Sequence, residues 1–201
     1  MKKMKLWALA AIMCYSAVSL TSCHNNDGRE QGVAEIADEN RKGDCMTVID
    51  DYLTDSIAPH YAPGEVCIPC VQVVEYEESY PDSVMVWGDF WVNNYNVVGD
   101  TLKCVSGGSH PGKMTLQPSE AGGYVVTAFE RVEDGSSFLP SAKRIFGDKF
   151  DAFQAINSDE KKREAVRASQ IADYVKAHSL SVKYYQDYGW PARELKVNSE
   201  Q

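Results

Sequence analysis

Six residues in one stretch of the chain could form a chemical surface together. Met85, Trp87, Asp89, Trp91, Asn93 and Tyr95 alternate with Val84, Val86, Phe90, Val92 and Asn94. In an extended strand the first set shares one face and the second, more apolar set shares the other. The first face then carries two indoles, a phenol, a carboxylate and a carboxamide in a row. Aromatic faces flanked by hydrogen-bonding groups suit sugar rings or peptide segments, which makes Trp87, Asp89, Trp91 and Tyr95 the candidate ligand contacts. The same row also suits a mixed core packed under helices. Asp89 is bracketed by large aromatics, and desolvation would raise its pKa toward general-base use. No second catalytic partner is defined beside it.

Four cysteines follow the first thirty residues: Cys45, Cys67, Cys70 and Cys104. In an exported chain an even number suggests disulfides, with three pairings open. Cys67-Ile68-Pro69-Cys70 has the spacing of a redox pair, but that pair needs a helix start to stabilise the thiolate. Here the β-branched run Val71-Gln72-Val73-Val74 follows, which reads as strand. In a strand the two thiols point to opposite faces and their Cα atoms stand roughly 10 Å apart, too far to bridge. Partners in Cys45 or Cys104, or plain buried thiols, fit better. A zinc site using these two with His60 or His110 lacks a second ligand pair at metal-binding spacing.

Gly107 to Met114 (Gly-Gly-Ser-His-Pro-Gly-Lys-Met) approaches the phosphate-loop pattern, but Met114 stands where a hydroxyl must meet magnesium. The segment is therefore expected to be a loop between strands. Ser109 and His110 adjoin, yet a catalytic pair needs a third, spatially arranged acid. Neither a metal nor a nucleotide cofactor is expected.

The start of the chain has a different character. Lys2, Lys3 and Lys5 precede an apolar run from Leu6 to about Leu20, too short for a comfortable bilayer span. Leu20-Thr21-Ser22-Cys23 closes it. The tetrad resembles the signal of bacterial lipoproteins: an aliphatic residue, two small ones, then the cysteine that is lipidated and becomes the first residue. The resemblance implies removal of residues 1–22 and acyl chains, palmitate among them, on Cys23. It also implies an envelope location, and His24 in place of aspartate points to the outer membrane. Residues 23–43 are polar and read as a disordered tether, leaving 44–201 as one domain. Loss of the three lysines takes the formal charge from −9 to −12. Such a chain is repelled by nucleic acid and by anionic bilayers, so the lipid is the expected membrane contact.

The elements that must position these residues read as follows. Asp44 caps a helix carrying Val48, Ile49, Tyr52, Leu53 and Ile57, and Pro59 ends it. Strands are expected near 66–78, 84–98, 101–107, 113–118 and 122–132, with breaks at Tyr80-Pro81-Asp82, Gly99-Asp100, the glycine segment and Gly122-Gly123. Links this short make neighbours antiparallel. Ser141 is expected to cap a short helix that meets Gly147. Phe150, Phe153 and Ile156 continue an apolar stripe, a longer helix opens near Ser158, and Leu180–Tyr185 adds a strand.

The class is therefore α+β: an N-terminal helix, a curved antiparallel meander and C-terminal helices. The order of elements over about 44–133 resembles the cystatin-like and nuclear transport factor 2-like architecture, a helix cradled by a bent sheet. A flat sandwich with helices on one face is the rival. Trp87-Gly88-Asp89-Phe90-Trp91, Ser106-Gly107-Gly108 and Tyr188-Gly189-Trp190 also resemble a group of uncharacterised envelope lipoproteins. Three functions fit these expectations. They are a non-enzymatic module binding a glycan, peptide or envelope protein; a cone-type small-molecule enzyme using Asp89 with His110 or a tyrosine; and a structural accessory subunit.

Overall fold

A computed structural model describes residues 27–80 and 83–196. The leader, Cys23 and His24 lie outside the described residues. The chain divides into Met1–Asp38 and Glu39–Gln201. In the first unit the described part is the opening of helix α1, which runs Asp27–Tyr52 and thus starts inside the stretch expected to be an unordered tether. All strands and the remaining helices belong to the second unit.

From α1 the chain passes through a wide π-type turn at Leu53–Ile57 and a short 3₁₀ turn at Ala58–His60, where Pro59 ends the helical run. Four long strands follow: β1 Val66–Tyr80, β2 Ser83–Val98, β3 Thr101–Pro118 and β4 Tyr124–Arg131. They pair antiparallel in sequence order, as their short links require. Helices α2 Phe138–Phe146, α3 Phe150–Ser158 and α4 Glu160–Ala177 come next, then two short strands, β5 Tyr184–Gln186 and β6 Arg193–Glu194. β5 lies parallel to the start of β3, and β6 pairs antiparallel with β5. The fold is α+β, with a six-stranded sheet that is antiparallel except at β3–β5.

The glycine segment is not the expected loop. Residues 101–118 form one strand that pairs with β2 through Ser109, His110, Pro111 and Gly112. The glycines there answer to close approach. A methyl on Gly107 would strike the Val92 carbonyl, and one on Gly112 would strike the Glu130 carbonyl of β4. Gly107 also takes φ +149°, a backbone region that few other residues enter. A register shift between Asn94 and Tyr95 bulges the same region, and another in β1 falls between Val73 and Glu75. Bulges of this kind bend and twist strands.

Each face of the sheet is covered. On one, Cys45, Ile49, Leu53 and Ile57 pack on Val71, Val86, Phe90 and Met114. On the other, α4 brings Ile171, Ala172 and Val175 to Ile68, Tyr95 and Leu102. Beside them α2 and α3 close over Trp87 with Phe146 and Phe153, whose rings stack at 4.1 Å. Helices on both faces exclude the flat one-sided sandwich. Strand alternation explains the division: the odd-numbered aromatics of β2 face α2–α4 and the apolar even-numbered set faces α1.

The longer helix opens where expected, while two expected caps do not hold: Asp44 lies inside α1, which begins at Asp27, and Ser141 lies inside α2. Asp159 is the cap of α4, accepting from Lys162 N at 3.0 Å. Ser141 is buried. Its Oγ donates to the Ser137 carbonyl at 2.7 Å and accepts from Glu133 N at 2.9 Å, so it joins α2 to the segment that follows β4 and does not begin a helix.

Candidate functional site

The row of aromatics on β2 divides among three environments. Trp87 is packed under α2, donating from Nε1 to the Ile145 carbonyl at 3.0 Å. Tyr95 is fully buried against α4. Between them Trp91 forms part of the floor of a cavity of about 320 Å³. Cys70 and Gln72 from β1, Asn93 from β2 and Cys104 from β3 complete that floor.

The wall is α4. Glu160, Arg163, Glu164, Arg167 and Gln170 recur at spacings of three and four, so one helix face presents them together. The apolar stripe that anchors α4 lies further along, at Ile171, Ala172 and Val175. The rim comes from the chain after β5: Asp187, Tyr188, Trp190 and Arg193. A turn holds it, with Trp190 N bonded to the Asp187 carbonyl at 3.0 Å and Gln186 Nε2 to the Trp190 carbonyl at 2.7 Å. Gly189 takes φ +76° at that turn. Tyr188 is 86% exposed and Trp190 60%, an unusual display for large aromatics.

Two ion pairs join rim to wall. Arg193 grips Glu164 with both amino groups, at 2.5 and 2.8 Å, which holds the Glu164 carboxyl below its ordinary range. Arg167 pairs with Asp187, and its guanidinium lies 5.5 Å from the centre of the Trp91 ring. Arg163 is different. Its Nη1 reaches Asn157 Oδ1 at a long 3.4 Å, and among the described residues it has no carboxylate partner.

Asp89 does not line the cavity. It is fully buried, accepting from Trp91 Nε1 at 2.7 Å and from Ser109 Oγ at 2.5 Å. Burial pushes its pKa up, while those two donors and the charge of Arg163 pull it partly back. Its role in the fold is to fix the indole of Trp91 and to tie β2 to β3. His110, the expected partner of Asp89, lies on the α1 side, where Tyr61 Oη meets its Nε2 at 2.9 Å. The two side chains are on opposite faces of the sheet.

The four described cysteines, Cys45, Cys67, Cys70 and Cys104, are free thiols in this structure. Cys67 packs on the α1 side and Cys70 on the α4 side, the opposite-face arrangement that strand geometry requires. Burial pushes the Cys70 thiol up to about 12 and raises Cys104 as well, so both are protonated at neutral pH. Among the described residues no three His, Cys, Asp or Glu side chains are grouped to hold a metal ion. None of the described helices is long and apolar enough to cross a membrane.

Unpaired buried polar atoms concentrate among the residues that line the cavity. Six side-chain nitrogen or oxygen atoms among the described residues are buried without a hydrogen-bond partner, and five belong to its lining: Gln72 Oε1, Asn93 Nδ2, Arg163 Nε, Arg167 Nε and Gln170 Oε1. Both glutamines spend their amide nitrogens on the scaffold, Gln170 on the Val71 carbonyl at 2.7 Å and Gln72 on the Arg163 carbonyl at 3.4 Å. Their oxygens are left over. Native proteins rarely leave buried polar groups unpaired, so such a cluster calls for an explanation.

Compared with known protein families, characterised proteins and solved structures, the chain matches none.

Proposed function

We propose that this chain is a lipid-anchored protein of the bacterial envelope whose domain binds a small polar ligand in the cavity between α4 and the sheet, without transforming it. The concentration of five unpaired polar atoms among the residues that line one cavity carries the binding half of this reading. Its volume of about 320 Å³ falls at the lower end of the range of ordinary ligand pockets. The anchoring half is supported by Leu20-Thr21-Ser22-Cys23 behind a basic, apolar leader, and the outer membrane by His24 after the cysteine. A formal charge of −9 gives the protein no electrostatic attraction to an anionic bilayer.

The lining supports holding over reacting. Its thiols are raised, and the nearest buried acid, Asp89, already uses both oxygens inside the scaffold. A helix followed by an antiparallel meander further supports assigning the sheet and α1 to the cystatin-like and nuclear transport factor 2-like architecture, with α2–α4 as an added layer.

Two measurements test the proposal. Cys23→Ala should move intact, folded protein from the membrane fraction to the soluble one; retention in the membrane would overturn the anchor. A thermal-shift screen of sugars, amino acids and nucleosides should find stabilising compounds for the wild type. Trp190→Ala should lose the shift while melting, unliganded, as the wild type does, because that indole is mostly exposed. A screen with no stabilising compound would overturn the cavity as a ligand site.

A further inference from the structure

Resting on that reading of the cavity, we infer that its ligand is a hexuronic acid, bound as a free sugar or as the terminal residue of a chain. Three of the unpaired atoms are donors (Asn93 Nδ2, Arg163 Nε and Arg167 Nε) and two are acceptors (Gln72 Oε1 and Gln170 Oε1). The occupant must therefore offer acceptors and donors side by side. Hydroxyl groups do both, and a sugar ring carries several around one small perimeter.

The charges select the anionic sugar. Arg193 is committed to Glu164 and Arg167 to Asp187, so each pair is balanced. Arg163 is the lining arginine with no carboxylate in ion-pair reach among the described residues, its Nη1 meeting only Asn157 Oδ1 at 3.4 Å. A single carboxylate fits its planar fork, with two parallel charge-assisted hydrogen bonds. A phosphate, carrying nearly two negative charges, would exceed the single charge of Arg163 and meet Glu160, which has no ion-pair partner among the described residues. The lining thus favours one negative charge over two.

The aromatics supply the remaining element of recognition. Trp91 is fixed through its Nε1 by Asp89 and carries the Arg167 guanidinium over its ring, while Trp190 and Tyr188 stand exposed at the rim and supply the free aromatic faces. Indole and phenol faces are suited to the C–H faces of a pyranose, and they sit where a ring enters. The cavity admits one ring, and its open rim leaves a path for a second residue to project outward.

The test is calorimetric titration of the full-length protein in detergent. Probes are galacturonic acid, glucuronic acid, the methyl ester of galacturonic acid, galactose, acetate and the galacturonic acid disaccharide. The acids should bind at least about tenfold more tightly than the ester or galactose, the usual worth of one charge-assisted pair, and acetate should not compete. Arg163→Gln should erase the difference between acid and ester without lowering the unliganded melting temperature, and Arg163→Lys should keep part of it. Equal affinity for monomer and disaccharide supports the free sugar or chain end alike; tighter binding of the disaccharide assigns the chain end. If the ester or galactose binds as well as the acids, the acidic class is wrong while the cavity stands as a sugar site. If acetate competes equally, the ring is not recognised. If no probe binds, the uronate inference fails, and the wider screen decides separately whether the cavity takes any ligand.

Discussion

Asp50 should act as a built-in brake on stability at neutral pH. It sits on α1 between the fully buried Ile49 and Leu53, and is itself half-buried. Burial, and then the neighbouring charge of Asp51, raise its pKa from 3.8 to about 6. The folded-state value lies above the unfolded one, so the folded state favours the protonated carboxyl. The associated stability is complete below about pH 4, declines as pH rises, and is lost once pH passes about 6. A shift of about two units corresponds to about 3 kcal/mol, at 1.36 kcal/mol per unit. Asp50→Asn removes the charge and keeps the shape. At pH 7 it should stabilise the fold by up to about 3 kcal/mol, or raise the melting temperature by about 6–12 °C for a domain of this size. Near pH 4 the variant and wild type should melt together. Urea unfolding at intervals from pH 4 to 7.5 measures the difference directly. A difference that does not change with pH, or a variant less stable at pH 7, would refute the argument that Asp50 is held charged against its surroundings.

Three further outcomes follow from packing. Phe153→Ala removes a ring stacked on Phe146 in a closed cluster and should cost about 3–5 kcal/mol in urea unfolding. Leu139→Ala, at an exposed position of α2, should stay within about 0.5 kcal/mol of the wild type. Gly112→Ala places a methyl against the Glu130 carbonyl and should cost about 1–3 kcal/mol, with hydrogen-exchange protection lost first along β4; unchanged protection there would count against the close approach. In the native protein at pH 8, Cys45 and Cys70 should not react with a thiol reagent, and added reductant should leave the melting temperature unchanged.

The alternation of β2 was legible because period-two patterning states which residues share a face, and both faces turned out to be covered as that pattern requires. The glycine segment misled for a physical reason. Gly107, Gly108 and Gly112 carry the composition of a turn, yet they serve strands and side chains that approach too closely for any Cβ, a demand visible only once β2, β4 and Tyr61 are in place. Of the four candidate contacts one, Trp91, reaches the cavity, joined there by Asn93 of the same row, while Trp87, Asp89 and Tyr95 support or fill what surrounds it. The wall was missed because Glu160, Arg163, Glu164 and Arg167 look like a solvated helix face. The available signal was the recurrence of Glu160, Arg163, Glu164 and Arg167 at spacings of three and four, which puts them on one helix face; that this face turns to the sheet shows only in the fold. The rim motif Tyr188-Gly189-Trp190 was noticed as a pattern, but its chemistry depends on Arg193 folding back to Glu164.

The parallel pairing of β5 with β3 sets when the cavity comes into being. Its floor is drawn from residues 70–104 and its rim from 187–193, and the rim follows directly on the pairing of Thr101 with Tyr184 and of Leu102 with Tyr185. That contact closes a loop of some eighty residues, a slow, late event in a chain whose other long strands pair with their neighbours in sequence. The sheet β1–β4 is therefore built before the cavity has its rim. The cavity is complete only in the fully folded domain, and its last dozen described residues act as the closing stitch.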